Sequence, residues 1–136
     1  MATRLNPYLS FNGNAREAMT YYQSVLGGEL TVSTYGEFQM GGDSESGKVM
    51  HAELTGGGLT LMGADTPDGM DYTAGSNFAV ALFGDDDPEL RGYFDGLAEG
   101  GSITLPLEQA PWGDSFGQLV DKFGVSWMVN ISGASS

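Results

Sequence analysis

His51 is the one histidine in a chain of 136 residues, and Glu53 follows it two positions later. In an extended strand, residues two apart point to the same face, so this imidazole and carboxylate stand side by side. Such a pair can serve as acid and base in proton transfer near neutral pH, or supply half of a metal site. A histidine hydrogen-bonded within a sheet or at a dimer interface leaves the same trace in a sequence. Tyr8 can donate a hydrogen bond or stack on a ligand, and can equally fill space at the mouth of a cleft. Trp112 and Phe116 flank Asp114, and an aromatic pair with one carboxylate suits a flat or cationic molecule. Aromatic packing under a hairpin is the other reading of that trio. Asp65 closes an apolar segment, where an aspartate commonly starts a turn.

Other chemistries lack their residues. With no cysteine, disulfides, thiolate zinc sites and cysteine nucleophiles are excluded. No glycine-rich phosphate loop running into Lys-Ser or Lys-Thr occurs, nor a Gly-x-Ser-x-Gly elbow. The acidic runs Asp85–Asp87 and Asp65–Asp71 lack the ligand spacing and terminal Glu of a calcium loop. The first of them falls at an expected helix N-terminus, where negative charge is favourable anyway. Eighteen acids against five bases give a net charge of −13, and the bases Arg4, Arg16, Lys48, Arg91 and Lys122 are scattered. Nucleic acid and anionic membrane surfaces demand clustered positive charge and are not expected partners. No apolar run approaches the roughly 20 residues of a membrane span. The start of the chain lacks the apolar core of a secretory signal, so a cytoplasmic location is expected.

The elements that must position these residues follow from periodicity. Residues 5–11 alternate as a strand, with Leu5, Leu9 and Phe11 on one side and Asn6, Tyr8 and Ser10 on the other. Pro7 marks an edge or the start of regular pairing. Asn14 stands where an N-cap belongs, and Ala15, Met19, Tyr22 and Leu26 form the apolar stripe of a helix over 15–26 that Gly27-Gly28 stops. Strands are predicted at 29–35, 48–54 and 59–64, with a polar loop at 36–47. In the third strand Met50, Ala52 and Leu54 oppose His51 and Glu53. Residues 65–76 read as a linker. The plan then repeats: a strand at 77–83, a helix at 88–99 with Leu90, Phe94 and Leu97 on one face, a strand at 102–107, and a closing hairpin of 112–120 and 125–131. Phe11-Asn-Gly-Asn14 matches Phe83-Gly-Asp-Asp86, an internal repeat weak in letters but regular in order. Trp127 alternates into the core with Val125 and Val129. The fold class is therefore α+β: one domain over 1–136, made of a βαβββ module at about 5–64, a linker at 65–76 and a second module at about 77–131. Neither half covers its own sheet, so the halves must pack together or against a second chain.

Pro7-Tyr8-Leu9-x-Phe11 followed by Ala18-x-x-Tyr21-Tyr22-x-x-x-Leu26-Gly27 resembles the opening of the vicinal oxygen chelate (glyoxalase, bleomycin-resistance and dioxygenase) superfamily. Trp112-Gly-Asp-x-Phe-Gly117 and Asp121-x-Phe-Gly-Val-Ser-Trp127 are similar to its PhnB-like branch. The resemblance implies half-barrel sheets around a ligand cleft, paired in a homodimer. Metal-dependent members of the superfamily hold a divalent ion with His, Gln or Glu from four strands. Those positions fall here on Asn6, Met62, about Asn77 and about Met128, and neutral amides and thioethers suit such an ion poorly. No metal or other cofactor is predicted on that basis, although His51 and Glu53 leave a variant divalent site open. The expected ligand is a small molecule, in a cleft lined by Asn6, Tyr8, His51, Glu53, Met62, Trp112, Asp114 and Phe116. Three roles follow: an enzyme using His51 and Glu53 as its acid–base pair, a stoichiometric binder of a cationic drug, or a dimer without a small ligand.

Overall fold

The glycine and proline punctuation of the sequence divides it into ten elements, and a computed structural model shows them for residues 3, 5–36, 48–66, 75 and 78–133. Most of the loop expected at 36–47, most of the linker and Asn77 lie outside the described residues. The chain separates into two compact units, Met1–Thr73 and Ala74–Ser136.

In the first unit, β1 (Tyr8–Phe11) leads into α1 (Ala15–Leu26), then β2 (Glu29–Thr34), β3 (Val49–Gly56) and β4 (Leu59–Asp65). The sheet order is β1-β4-β3-β2, with β1 parallel to β4 and the other pairs antiparallel. Helix α1 lies on one face and buries Ala15, Ala18, Met19 and Tyr22 against Leu9, Phe11, Ala52, Leu54 and Leu61. Burying a large apolar side chain of this kind contributes about 1.5–3 kcal/mol. Gly28, at φ 93°, ends the helix where a Cβ would strike the Thr55 carbonyl, so only glycine lets β2 enter beside β3.

Three details differ from the sequence reading. Leu5 is fully exposed, because regular pairing begins only at Tyr8, after Pro7. Ser33 pairs with His51 but Thr34 pairs with Val49, which makes Met50 the extra residue of a β-bulge. Val49, not Met50, therefore returns to the helix face and is wholly buried. Asn14 occupies the N-cap position without a side-chain capping bond. The carboxylate of Asp65, delivered by β4, takes that role: Oδ1 accepts from the backbone N–H of Gly13 at 3.0 Å and of Ala15 at 2.9 Å.

The second unit has the same plan. β5 (Val80–Gly84), α2 (Asp87–Ala98), β6 (Ser102–Gln109), β7 (Ser115–Val120) and β8 (Ser126–Ile131) form a sheet of order β5-β8-β7-β6, with β5 parallel to β8. Helix α2 buries Leu90, Phe94 and Leu97, and the sheet face beneath it buries Leu82, Leu119, Trp127, Val129 and Ile131. Here the cap is local, since Asp86 Oδ1 accepts from the Glu89 N–H at 3.1 Å. Strand β7 starts at Ser115, three residues later than expected, because Gly113 at φ 106° turns the chain and the Ala110 N–H bonds to the Asp114 carbonyl.

The letter match of Phe83 to Phe11 does not hold in three dimensions. Phe11 is buried, whereas Phe83 is 80% exposed. Strand β5 pairs one residue further toward its helix, through Gly84 opposite Ile131, and a shift of one residue turns each side chain to the other face.

Candidate functional site

The face of the first sheet turned away from α1 gathers four of the expected site residues from three strands. Glu53 on β3 lies opposite Met62 on β4, and Met62 lies beside Tyr8 on β1. His51 sits one pleat along from Glu53, with Nε2 3.5 Å from Glu53 Oε1. The Tyr8 and His51 rings stand 6.0 Å apart, tilted by 34°. Ala52, between the two polar residues, is buried under α1, so the alternation fixes both His51 and Glu53 on the open face. Their side chains are 39% and 36% exposed, which leaves both reachable by a ligand. A contact this exposed contributes at most about 1 kcal/mol, enough to bias the imidazole's orientation but not to lock it. Asn6 is half-buried, two residues ahead of β1, where the Pro7 carbonyl accepts from the Met62 N–H at 3.1 Å.

The superfamily's divalent ion can be tested against these donors. His51 and Glu53 supply one imidazole and one carboxylate, the neighbouring Met62 a soft thioether, and Asn6 a neutral amide. Among the described residues no group of three or more His, Cys, Asp or Glu side chains is placed to hold an ion. The set does not fit a hard or borderline divalent metal.

Trp112, Asp114 and Phe116 belong to the second unit. Trp112 stands on the turn before β7, 71% exposed. Phe116 is half-buried on the face away from α2, in one row with Phe83, Asn130 and Glu108. The Asp114 carboxylate is engaged by the chain itself, accepting from the Gly133 N–H at 2.8 Å and from Asn130 Nδ2 at 3.3 Å. Met128 lies on the same open face, opposite Gln118 and Ala81.

Two aspartates that the sequence reading set aside hold the units together from within. Besides its bonds to Gly13 and Ala15, buried Asp65 accepts from the Val49 N–H at 2.9 Å, tying the ends of β1, α1, β3 and β4 to one carboxylate. Asp121, also buried, accepts from the N–H groups of Phe123 and Val125 and from Trp127 Nε1 at 2.9 Å. The available signal for Asp121 was its spacing of six from a core tryptophan that needs a partner for its indole N–H. For Asp65 no local signal exists, since its donors are 16 to 52 positions away.

Two four-stranded sheets, each threaded strand–helix–strand–strand–strand with its first and last strands parallel, define the glyoxalase/bleomycin-resistance class of fold. A glyoxylase/bleomycin resistance protein/dioxygenase domain from Frankia sp. shares it at 16% identity and a TM-score of 0.64, over 97% of this chain and 98% of that one. The sequence profile of the 3-demethylubiquinone-9 3-methyltransferase family matches residues 3–130. The chain belongs to this PhnB-like family. Protein PA1353 from Pseudomonas aeruginosa is 39% identical with a TM-score of 0.89, covering 96% of this chain and 98% of its own. A PhnB protein from Bacillus cereus is 30% identical with a TM-score of 0.76, covering 96% and 100%. Among the described residues no helix is long and apolar enough to cross a membrane.

Proposed function

We propose that this protein binds a small organic molecule on the open face of the first sheet and moves a proton on it with His51, the imidazole being oriented by Glu53. The observation that carries the reading is the convergence of Tyr8, His51, Glu53 and Met62 from three strands onto one accessible patch. Each residue has a role in this reading. His51 supplies an imidazole that can accept a proton and return it. Tyr8 offers a ring to stack on and a hydroxyl to donate, and Met62 gives a polarisable, adaptable floor. A carbonyl compound with an acidic adjacent C–H is the substrate class such a pair can act on without a metal. The methyl transfer in the family's description is not carried over, because neither fold nor family fixes a reaction and these residues supply acid–base chemistry.

Sequestration of a cationic drug by Trp112, Asp114 and Phe116 ranks second, since the Asp114 carboxylate is already taken up by Gly133 and Asn130. We also propose a homodimer. Among the described residues each sheet carries a helix on one face only, while Phe83, Ile103, Leu105 and Trp112 are exposed.

The test is a screen of small carbonyl fragments, read by the Met62 methyl signal in methionine-labelled protein. Hits are then incubated in heavy water and followed for deuterium uptake next to the carbonyl. The expected result is binding in the wild type, with exchange abolished in His51→Ala and reduced in Glu53→Gln. Exchange that is unchanged in folded His51→Ala overturns the proton-transfer role. A screen in which no fragment shifts Met62 overturns the site.

A further inference from the structure

The second unit holds an open cavity of about 960 Å³ on the α2 side of its sheet, the face opposite Phe116 and Met128. Its floor is one row across all four strands: Gly84, Ile131, Ser115 and Gln109 are successive register partners. At the same end of the first unit stand the pairs Phe11–Asp65 and Val49–Thr34, joined by the bond from the Val49 N–H to the Asp65 carboxylate. There the Phe11 ring and the Asp65 carboxylate fill the space beneath the start of α1, and Val49 is wholly buried. In the second unit the benzyl group is gone, replaced by Gly84. An isoleucine stands for the aspartate, and the serine hydroxyl of Ser115 stands for the valine. The first copy of the repeat keeps a smaller opening of about 510 Å³ at this end, lined by Asp65 and the first turns of α1, against about 960 Å³ in the second.

The larger opening is polar in a directed way. Ser115 is 91% buried, yet among the described residues its Oγ has no hydrogen-bond partner, and its remaining surface opens into the cavity. Ser115 Oγ is therefore met by solvent within the cavity, where a ligand donor can take the place of water. At the rim, Asp87 is committed to Arg91, Oδ1 to Nε 2.8 Å, and its neighbour Asp86 to the helix cap. The side chain of Asp85, which also lines the cavity, has no ion pair or hydrogen bond among the described residues. Gln109 gives its Nε2 to the Gly113 carbonyl at 3.2 Å, which leaves its Oε1 as an acceptor. The free groups are thus three acceptors, the Ser115 hydroxyl, the Gln109 amide oxygen and the Asp85 carboxylate, in a chain of net charge −13.

We propose that this cavity is a binding site for a small organic cation bearing a primary ammonium group, which donates to Ser115 Oγ and Gln109 Oε1 and pairs with Asp85. A primary ammonium has three N–H donors and a compact charge, which matches acceptors converging from floor and rim. The site is separate from the His51 face, and its success or failure leaves that reading untouched.

The experiment is a titration of ¹⁵N-labelled protein with putrescine, with tetramethylammonium as a cation that has no N–H to donate. The expected result is saturable shifts at the Ser115, Gly113 and Gly133 amides and the Gln109 side chain with putrescine, absent with tetramethylammonium. Loss of the hydroxyl in Ser115→Ala should weaken binding about tenfold, as removal of one hydrogen bond does. Asp85→Asn, at an exposed position, should weaken it while the rest of the spectrum stays unchanged. Three outcomes overturn the proposal: no saturable shift with putrescine, equal response to both cations, or binding unaffected by both substitutions. Shifts confined to Tyr8, His51 and Met62 also overturn it, and assign the amine to the first sheet.

Discussion

Replacing Asp65 should unfold the first unit preferentially, and the size of the effect can be worked out from its three bonds. Val49 and Ala15 give buried N–H groups to this carboxylate, while the Gly13 N–H is partly buried. In Asp65→Ala those donors lose their acceptor. Leaving a buried donor unsatisfied costs about 1–3 kcal/mol, so two of them with the lost side-chain volume amount to about 3–5 kcal/mol. That is a large part of the roughly 5–15 kcal/mol that stabilises a domain. Asp65→Asn separates hydrogen bonding from shape. Its Oδ1 can still accept from Gly13 and Ala15, but its NH₂ then faces the Val49 N–H, and the expected cost is about 1.5–3 kcal/mol. Both tryptophans, Trp112 and Trp127, lie in the second unit, so tryptophan fluorescence would report the wrong half. Native-state hydrogen exchange at the Ala15 and Val49 amides is the appropriate assay, each 1.4 kcal/mol appearing as about tenfold faster exchange. Exchange at both amides within tenfold of wild type in Asp65→Ala would refute the argument that one carboxylate ties these strand ends together.

Three more outcomes are expected. Asp121→Ala should cost about 3 kcal/mol or more, because the buried Trp127 indole N–H loses its acceptor along with two turn amides; an unchanged urea midpoint by Trp127 emission would contradict this. Tyr93 donates to Glu89 Oε1 at 2.6 Å, and that bond, ahead of burial, pushes its phenol up to about 12. The folded value lies above the ordinary one near 10, so any stability the bond gives is full below pH 10 and is lost as pH rises through about 12. An ultraviolet titration in which Glu89→Gln fails to lower the latest tyrosinate step would show that the bond is not its cause. Elemental analysis after incubation with zinc, nickel, manganese or iron(II) and desalting should find well under one ion per chain; one retained ion per chain would show that His51 and Glu53 recruit donors beyond those described.

The fold was legible because its signals are local. The two helices depend on spacing within a few residues, and the observed α1 and α2 fall within one residue of expectation. The placement of His51 beside Glu53 needed only the period of a strand. What could not be read is what depends on register. The bulge at Met50 reverses which of two neighbours is buried, and the extra pairing at Gly84 turns Phe83 outward, though both sequences alternate normally up to those points. The contact of Tyr8 with His51 exists because β1 pairs in parallel with β4, a link across 54 positions that no window of sequence contains. Asp65 reads as a turn starter for the same reason: its bonding partners are distant in the chain, and burial converts a common turn residue into an internal clamp.

Asp65 and Asp114 also show how a repeated module comes to differ without changing its fold. In the first unit the carboxylate comes from the end of the fourth strand, Asp65, and reaches the start of the third at Val49. In the second unit the direction is reversed: Asp114, just before the third strand, reaches Gly133, just after the fourth. Both arrangements fasten the same pair of strand ends, so the sheet order is preserved. Only the first puts its carboxylate beneath the helix, where it also caps α1. Once α2 carries its own cap in Asp86, the space under it has no structural duty. A glycine at 84 and a hydroxyl at 115 then cost the fold little and leave a cavity with free acceptors. Ser115→Val, which restores the residue type of the first unit, should therefore leave the second unit at least as stable while removing any response to putrescine. A marked loss of stability in that variant would mean that the hydroxyl serves the fold, and the cavity would lose its claim to a ligand.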